Sequence, residues 1–189
     1  MADTARTHAA LVALLADNTT GNISPQDLRD MLESLNSPMG EISYFNVTGT
    51  AVTINAQSNG STNMVVCNPV TSVKGGGYLF DNGGANNGRL RYIGAGDKML
   101  HVACSISFSG IGANENFVIG VAKNGTVDAA SKCIRKVGGG GDIGSTAMHL
   151  MTNVSQNDYL EVYVGNMSST ANFTVHALNI FAAGMMPQS

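Results

Sequence analysis

A change of hydrophobic period at Ser37-Pro38-Met39-Gly40 divides this chain. Before that point apolar residues recur every three or four positions; after it they alternate every second position, in short runs broken by glycine. One segment cannot present both periods to a single core. The chain is therefore expected to carry a short helical part, residues 1–40, followed by a β head, residues 41–189.

The helical part has well-placed punctuation. Ser24 can cap free N–H groups, Pro25 suits the first helical position, and Asp27 sets negative charge at the positive end of the helix dipole. Leu28, Met31, Leu32 and Leu35 then follow helical spacing until residues 36–38 stop the run. A preceding helix is expected to start near Thr4 or Thr7, with Leu11, Leu14 and Leu15 on one face. Helices of about three turns are marginal in water unless their apolar stripes are buried. These seven residues are thus expected to form an anchoring or oligomer interface, either with other chains or folded back on the chain's own head.

Past Gly40 the period is two. Residues 42–47 and 51–54 suggest a hairpin about Thr48-Gly49-Thr50, and residues 97–109 form the clearest strand, with Leu100, Val102, Cys104, Ile106 and Phe108 on one face. Residues 117–123 alternate up to Asn124-Gly125, a type I′ hairpin signal. Residues 158–165 alternate again, and the continuously apolar run at 173–183 is expected to lie deepest or at an interface. With shorter runs at 64–67, 77–80, 89–93 and 147–151, about eight to ten strands result, which suits a two-sheet jelly-roll sandwich.

Charge and chemistry exclude several functions. Charged residues are 12% of the chain and the net charge is -3, so no basic field exists to hold a nucleic acid or an anionic membrane. No run reaches the roughly 18 apolar residues of a membrane span, and the apolar stretch at 9–16 lacks the flanks of a secretion signal, so a cytoplasmic origin is expected. Cys67, Cys104 and Cys133 form no C-x-x-C pair and are read as reduced thiols, Cys104 as a buried one. His8, His101, His149 and His176 show no metal-ligand spacing, so no metal or other cofactor is expected, and His101 and His176 read as strand or interface residues. There is no G-x-S-x-G elbow, no placed carboxylate pair and no P-loop; the glycines at 75–77 and 138–141 read as loops. The chain is not expected to be an enzyme. Tyr78, Tyr92, Tyr159 and Tyr163 could stack on sugars, without marking a specific site.

Residues 19–30, and within them Ile23-Ser24-Pro25-Gln26-Asp27-Leu28-Arg29, resemble a leader found in bacteriophage virion proteins. Gly88-Arg89-Leu90-Arg91-Tyr92, the strand at 98–110, Gly125 and Asp158-Tyr159-Leu160-Glu161-Val162-Tyr163-Val164-Gly165-Asn166 are similar to C1q/TNF-like jelly rolls of phage appendages. The resemblance implies a homotrimer on the virion surface, assembled in the host cytoplasm, whose N-terminal segment holds a capsid or other virion protein. Because no repeated shaft separates leader from head, it implies a capsid decoration or short head fibre. The alternative is a tail receptor-binding module that recognises host-surface glycans through loops near Gly75, Asn114 and Gly138.

Overall fold

The computed structural model describes residues 23–35, 37–69, 72–84, 88–139 and 141–184. Helix α1 (Pro25–Leu35) opens as its sequence dictates. The Asp27 backbone N–H donates to Ser24 Oγ at 3.1 Å, while the Ser24 N–H and hydroxyl both donate to Asp27 Oδ2, at 3.0 and 2.7 Å. This reciprocal cap satisfies N–H groups that the first turn leaves without helical partners. The expected first helix, with Leu11, Leu14 and Leu15, lies outside the described residues.

Two antiparallel sheets follow. The first has the order β10 (Ile143–Val154), β6 (Lys98–Gly110), β12 (Phe173–Gly184), β1 (Met39–Val52), β3 (Ser72–Tyr78). The second is built on the pair β11 (Tyr159–Asn166) and β7 (Glu115–Lys123). Two short strands lie end to end along each side of that pair: β5 (Arg89–Tyr92) and β2 (Val65–Cys67) on β11, β8 (Thr126–Val127) and β9 (Cys133–Val137) on β7. The strand β4 (Phe80–Asp81) extends it beyond β5. Apart from the β4–β5 and β7–β8 pairs, neighbouring strands are non-consecutive, and the result is a two-sheet jelly roll with a short helix on its N-terminal side.

Alternation fills the space between the sheets. Leu100, Val102, Cys104, Ile106 and Phe108 of β6 are buried, as are Leu160, Val162 and Val164 of β11 and Phe173, Val175, Leu178, Ile180 and Ala182 of β12. At one end Phe108, Phe117 and Phe173 meet with ring centroids 4.5 to 5.8 Å apart, and all three are fully buried. Cys67 and Cys104 are buried and free, and desolvation pushes the Cys67 thiol up to about 12; Cys133 is half-buried and free.

Two local expectations are corrected. Residues 42–54 are no hairpin: β1 runs unbroken, both of its halves pair with β12, and residues 46–49 bulge out opposite His176. Gly49 at φ 74 makes the turn within the bulge, so a turn signal that normally reverses a chain here only swells a strand. The glycines at 75–77 lie within β3 and not in a loop, at the register shift between the Glu41–Lys74 and Met39–Tyr78 pairs. By contrast, Asn124 and Gly125 both take positive φ, 50 and 78, and link β7 to β8 as a type I′ turn.

The head begins and ends at one place: the Gly184 N–H donates to the Pro38 carbonyl at 2.6 Å. The turn at 155–158 lies at this end too, since Val154 pairs with Lys98, the first residue of β6. Segments 111–114, 138–142 and 167–172 lie at the other end, beyond Gly110, Ile143 and Asn166.

An ion pair at the edge of the second sheet gives a pH test. Arg91 Nε and Nη2 donate to the two Asp81 oxygens at 2.8 and 2.6 Å, which holds the Asp81 carboxyl below its ordinary range, helped by the Gly83 N–H at 2.8 Å. Because the folded-state value is depressed, the stabilisation is present above the unfolded value of about 3.9 and fades as pH falls through the folded one. Asp81→Asn is therefore expected to lower the melting temperature slightly at neutral pH and to flatten its fall between about pH 4 and pH 2. Parallel wild-type and variant curves across that window would remove Asp81 from the acid response.

Candidate functional site: the open face of the first sheet

The two outward faces of the sandwich differ in kind. That of the second sheet is covered and charged. A Cβ added to Gly165 would lie 2.7 Å from Ser58, and one added to Gly120 would lie 2.7 Å from Val127, so two segments of chain press directly on β11 and β7. Ser131, in a short turn after β8, fixes one of these straps by accepting from the Val121 N–H at 2.9 Å. Beside them Arg89 donates through Nε and Nη2 to Glu161, at 3.0 and 2.9 Å, and its guanidinium lies 3.6 Å over the Tyr159 ring. Glu161 is buried by this arrangement.

The outward face of the first sheet has no such cover from the described residues. Its register places residues in five rows across β10, β6, β12 and β1: Met151-His101-Ala183-Met39, His149-Ala103-Phe181-Glu41, Ala147-Ser105-Asn179-Ser43, Ser145-Ser107-Ala177-Phe45 and Ile143-Ser109-Thr174-Ala51. Across these rows the single charged residue is Glu41, which accepts from Asn179 Nδ2 at 2.5 Å; Lys74 stands opposite it in the edge strand β3. Small serine and alanine side chains in the middle rows leave an open depression of about 450 Å³, bordered by Tyr44 and Asn179. Larger apolar groups ring it: Met39, Phe45, Met99, Ile143 and Met151 are all exposed, Phe45 by 77%.

Two histidine contacts lie on this face. His176 bridges the β1 bulge to β6: its Nδ1 donates to the Val47 carbonyl at 3.1 Å, and its Nε2 accepts from Ser109 Oγ at 2.9 Å. His101 and His149 stack with an 11° interplanar angle, and His149 Nδ1 lies 3.4 Å from His101 Nε2. The alternation of β10 and β6 contains both residues, but 48 positions separate them, and only the register brings them together.

Of the residues expected at an interface from their helical spacing, Leu28 and Leu32 are 52% and 60% exposed on α1, with Ile23 exposed before them. Met31 is half-buried, and Leu35 is the last helical residue. Among the described side chains of this helix the buried one is Asp30, which accepts from Gln26 Nε2 at 2.7 Å. Within one chain, the Leu28–Leu32 ridge is thus not folded onto the head. The alternative glycan loops are only partly loops, since Gly75 lies inside β3.

Among solved structures, the chain is similar to Eiger TNF from S. frugiperda, with 9% identity over 82% of this chain and 96% of that one and a TM-score of 0.52. Murine APRIL at pH 5.0 matches with 12% identity over 79% of this chain and all of that one, TM-score 0.47. PRD1 vertex protein P5 matches with 7% identity over 79% of this chain and 96% of that one, TM-score 0.43. The fold is TNF-like. No protein-family model and no curated protein matches the sequence.

Proposed function

We propose that this chain is a non-catalytic virion structural protein, a homotrimeric capsid decoration or short head fibre, which joins its own copies through the open face of the first sheet and the virion through its N-terminal segment. The observation that carries self-association is the contrast between the two faces. Burying a charge that finds no partner costs several kcal/mol, a hydroxyl costs less and nothing once it is hydrogen-bonded, and burying an apolar group is favourable. Interface cores are accordingly poor in charge and rich in aromatic residues and methionine. The exposed Met39, Phe45, Met99 and Met151 and the single charge across the rows match that composition, and the covered face with its Arg89–Glu161 pair does not.

The number three and the virion come from the resemblance of residues 19–30 and of the head strands to phage appendage proteins. The exposed Leu28 and Leu32 supply the apolar ridge that an anchor needs. Light scattering of the purified protein at micromolar concentration is expected to give three times the 19.5 kDa chain mass. A monomer would overturn the assembly reading. A chain lacking residues 1–36 is expected to keep its oligomeric state and to fail to join particles; undiminished incorporation would place the anchor elsewhere.

A further inference from the structure

We propose a copper(I) site on the open face of the first sheet, formed by His101 and His149 with the thioethers of Met151 and Met99 beside them. The described residues hold no group of three or more His, Cys, Asp and Glu suited to a metal. Methionine sulfur lies outside that set, and it is what this corner of the sheet adds. Met151 stands directly opposite His101 across the β10–β6 ladder and two residues after His149; Met99 precedes His101 by two. All four residues share one face, and both methionines are exposed, by 48% and 37%.

The nitrogen separation suits chelation. Two metal–nitrogen bonds of about 2.0–2.1 Å at a tetrahedral angle place their nitrogens about 3.4 Å apart. His149 Nδ1 and His101 Nε2 are 3.4 Å apart, on neighbouring strands of a five-stranded sheet that fixes their backbones. Without metal, one of these nitrogens carries a proton that faces the other. With metal, that proton moves to the far nitrogen of the same ring, so two neutral imidazoles bind and no net proton is released. Imidazole suits zinc, copper, iron and nickel, while thioethers are soft ligands, and copper(I) is the ion that both donor types favour.

The test uses the full chain carrying Cys133→Ser, because Cys133 is the thiol that is not fully buried. Copper(I) is titrated without oxygen against a chromophoric copper(I) chelator, with Zn²⁺ as comparison. One copper(I) ion per chain is expected, weakened about tenfold or more by either His101→Gln or His149→Gln, which corresponds to at least about 1.4 kcal/mol. Met151→Leu is expected to weaken copper(I) and leave Zn²⁺ retention unchanged. Copper(I) retention that is equal in the His101→Gln/His149→Gln double variant, or unchanged by Met151→Leu, overturns the site. All four donors belong to one chain and lie on the face proposed to join copies, so light scattering of the same samples reports whether copper(I) is held by the single chain or by the assembly, separately from whether it is held.

Discussion

Replacing Phe173 with alanine is expected to lower the unfolding free energy by about 3–5 kcal/mol. Phe173 has no solvent exposure and contacts both sheets, stacked at 4.5 Å on Phe108 of β6 and edge-on at 5.3 Å to Phe117 of β7. Truncation removes a buried ring from water-free contact and also leaves a space that β strands on both sides cannot close, since each is held by ladder bonds to two neighbours. For a chain of this size the expected fall in melting temperature is roughly 10 °C. Denaturant titration would measure it as a lower midpoint at unchanged slope. A loss below about 1 kcal/mol would mean that the end of the sandwich collapses around the missing ring.

Ser105→Glu is expected to leave the fold intact and to abolish self-association. Ser105 is exposed at the centre of the five rows, so in a single chain the added carboxylate meets water and shifts stability by no more than about 0.5 kcal/mol. In a closed assembly each copy would bury that carboxylate, and a penalty of several kcal/mol per subunit, at tenfold per about 1.4 kcal/mol, raises the concentration needed for assembly by orders of magnitude. Light scattering should therefore read a monomer with a near-native melting curve, and Ser105→Ala should assemble as the wild type does. Assembly of the glutamate variant at the wild-type concentration would move the interface off this face.

Much of this architecture is legible in the sequence where a local rule and the tertiary structure agree. The Ser24–Asp27 cap, the buried face of β6 and the Asn124-Gly125 turn each depend on residues only a few positions apart. Reading fails where distant partners decide. The Thr48-Gly49-Thr50 signal is genuine turn chemistry, but the pairing of both halves of β1 with β12 converts it to a bulge. The strand β9 carries exposed Ile134, Arg135 and Lys136, and alternation is hard to see in it because it lies along one edge of β7. Glu161 reads as a solvent residue between two tyrosines, and it is buried because Arg89, 72 positions away, lies over it. The His101–His149 pair is invisible for the same reason: chain spacing carries no information about register.

The pairing of Gly184 with Pro38 has a practical meaning for anyone attaching cargo to this protein. Because the head's first and last strands meet there, a payload fused directly after Gly184 leaves the head on the side where the chain arrives from the helix proposed to grip a particle. Such fusions would compete with docking. Gly138 and Asp142 lie at the opposite end, beyond Ile143, where the Gly138 N–H donates to Asp142 at 2.8 Å. An insertion there spans a gap the chain already bridges, and it would project its cargo outward from a coated surface.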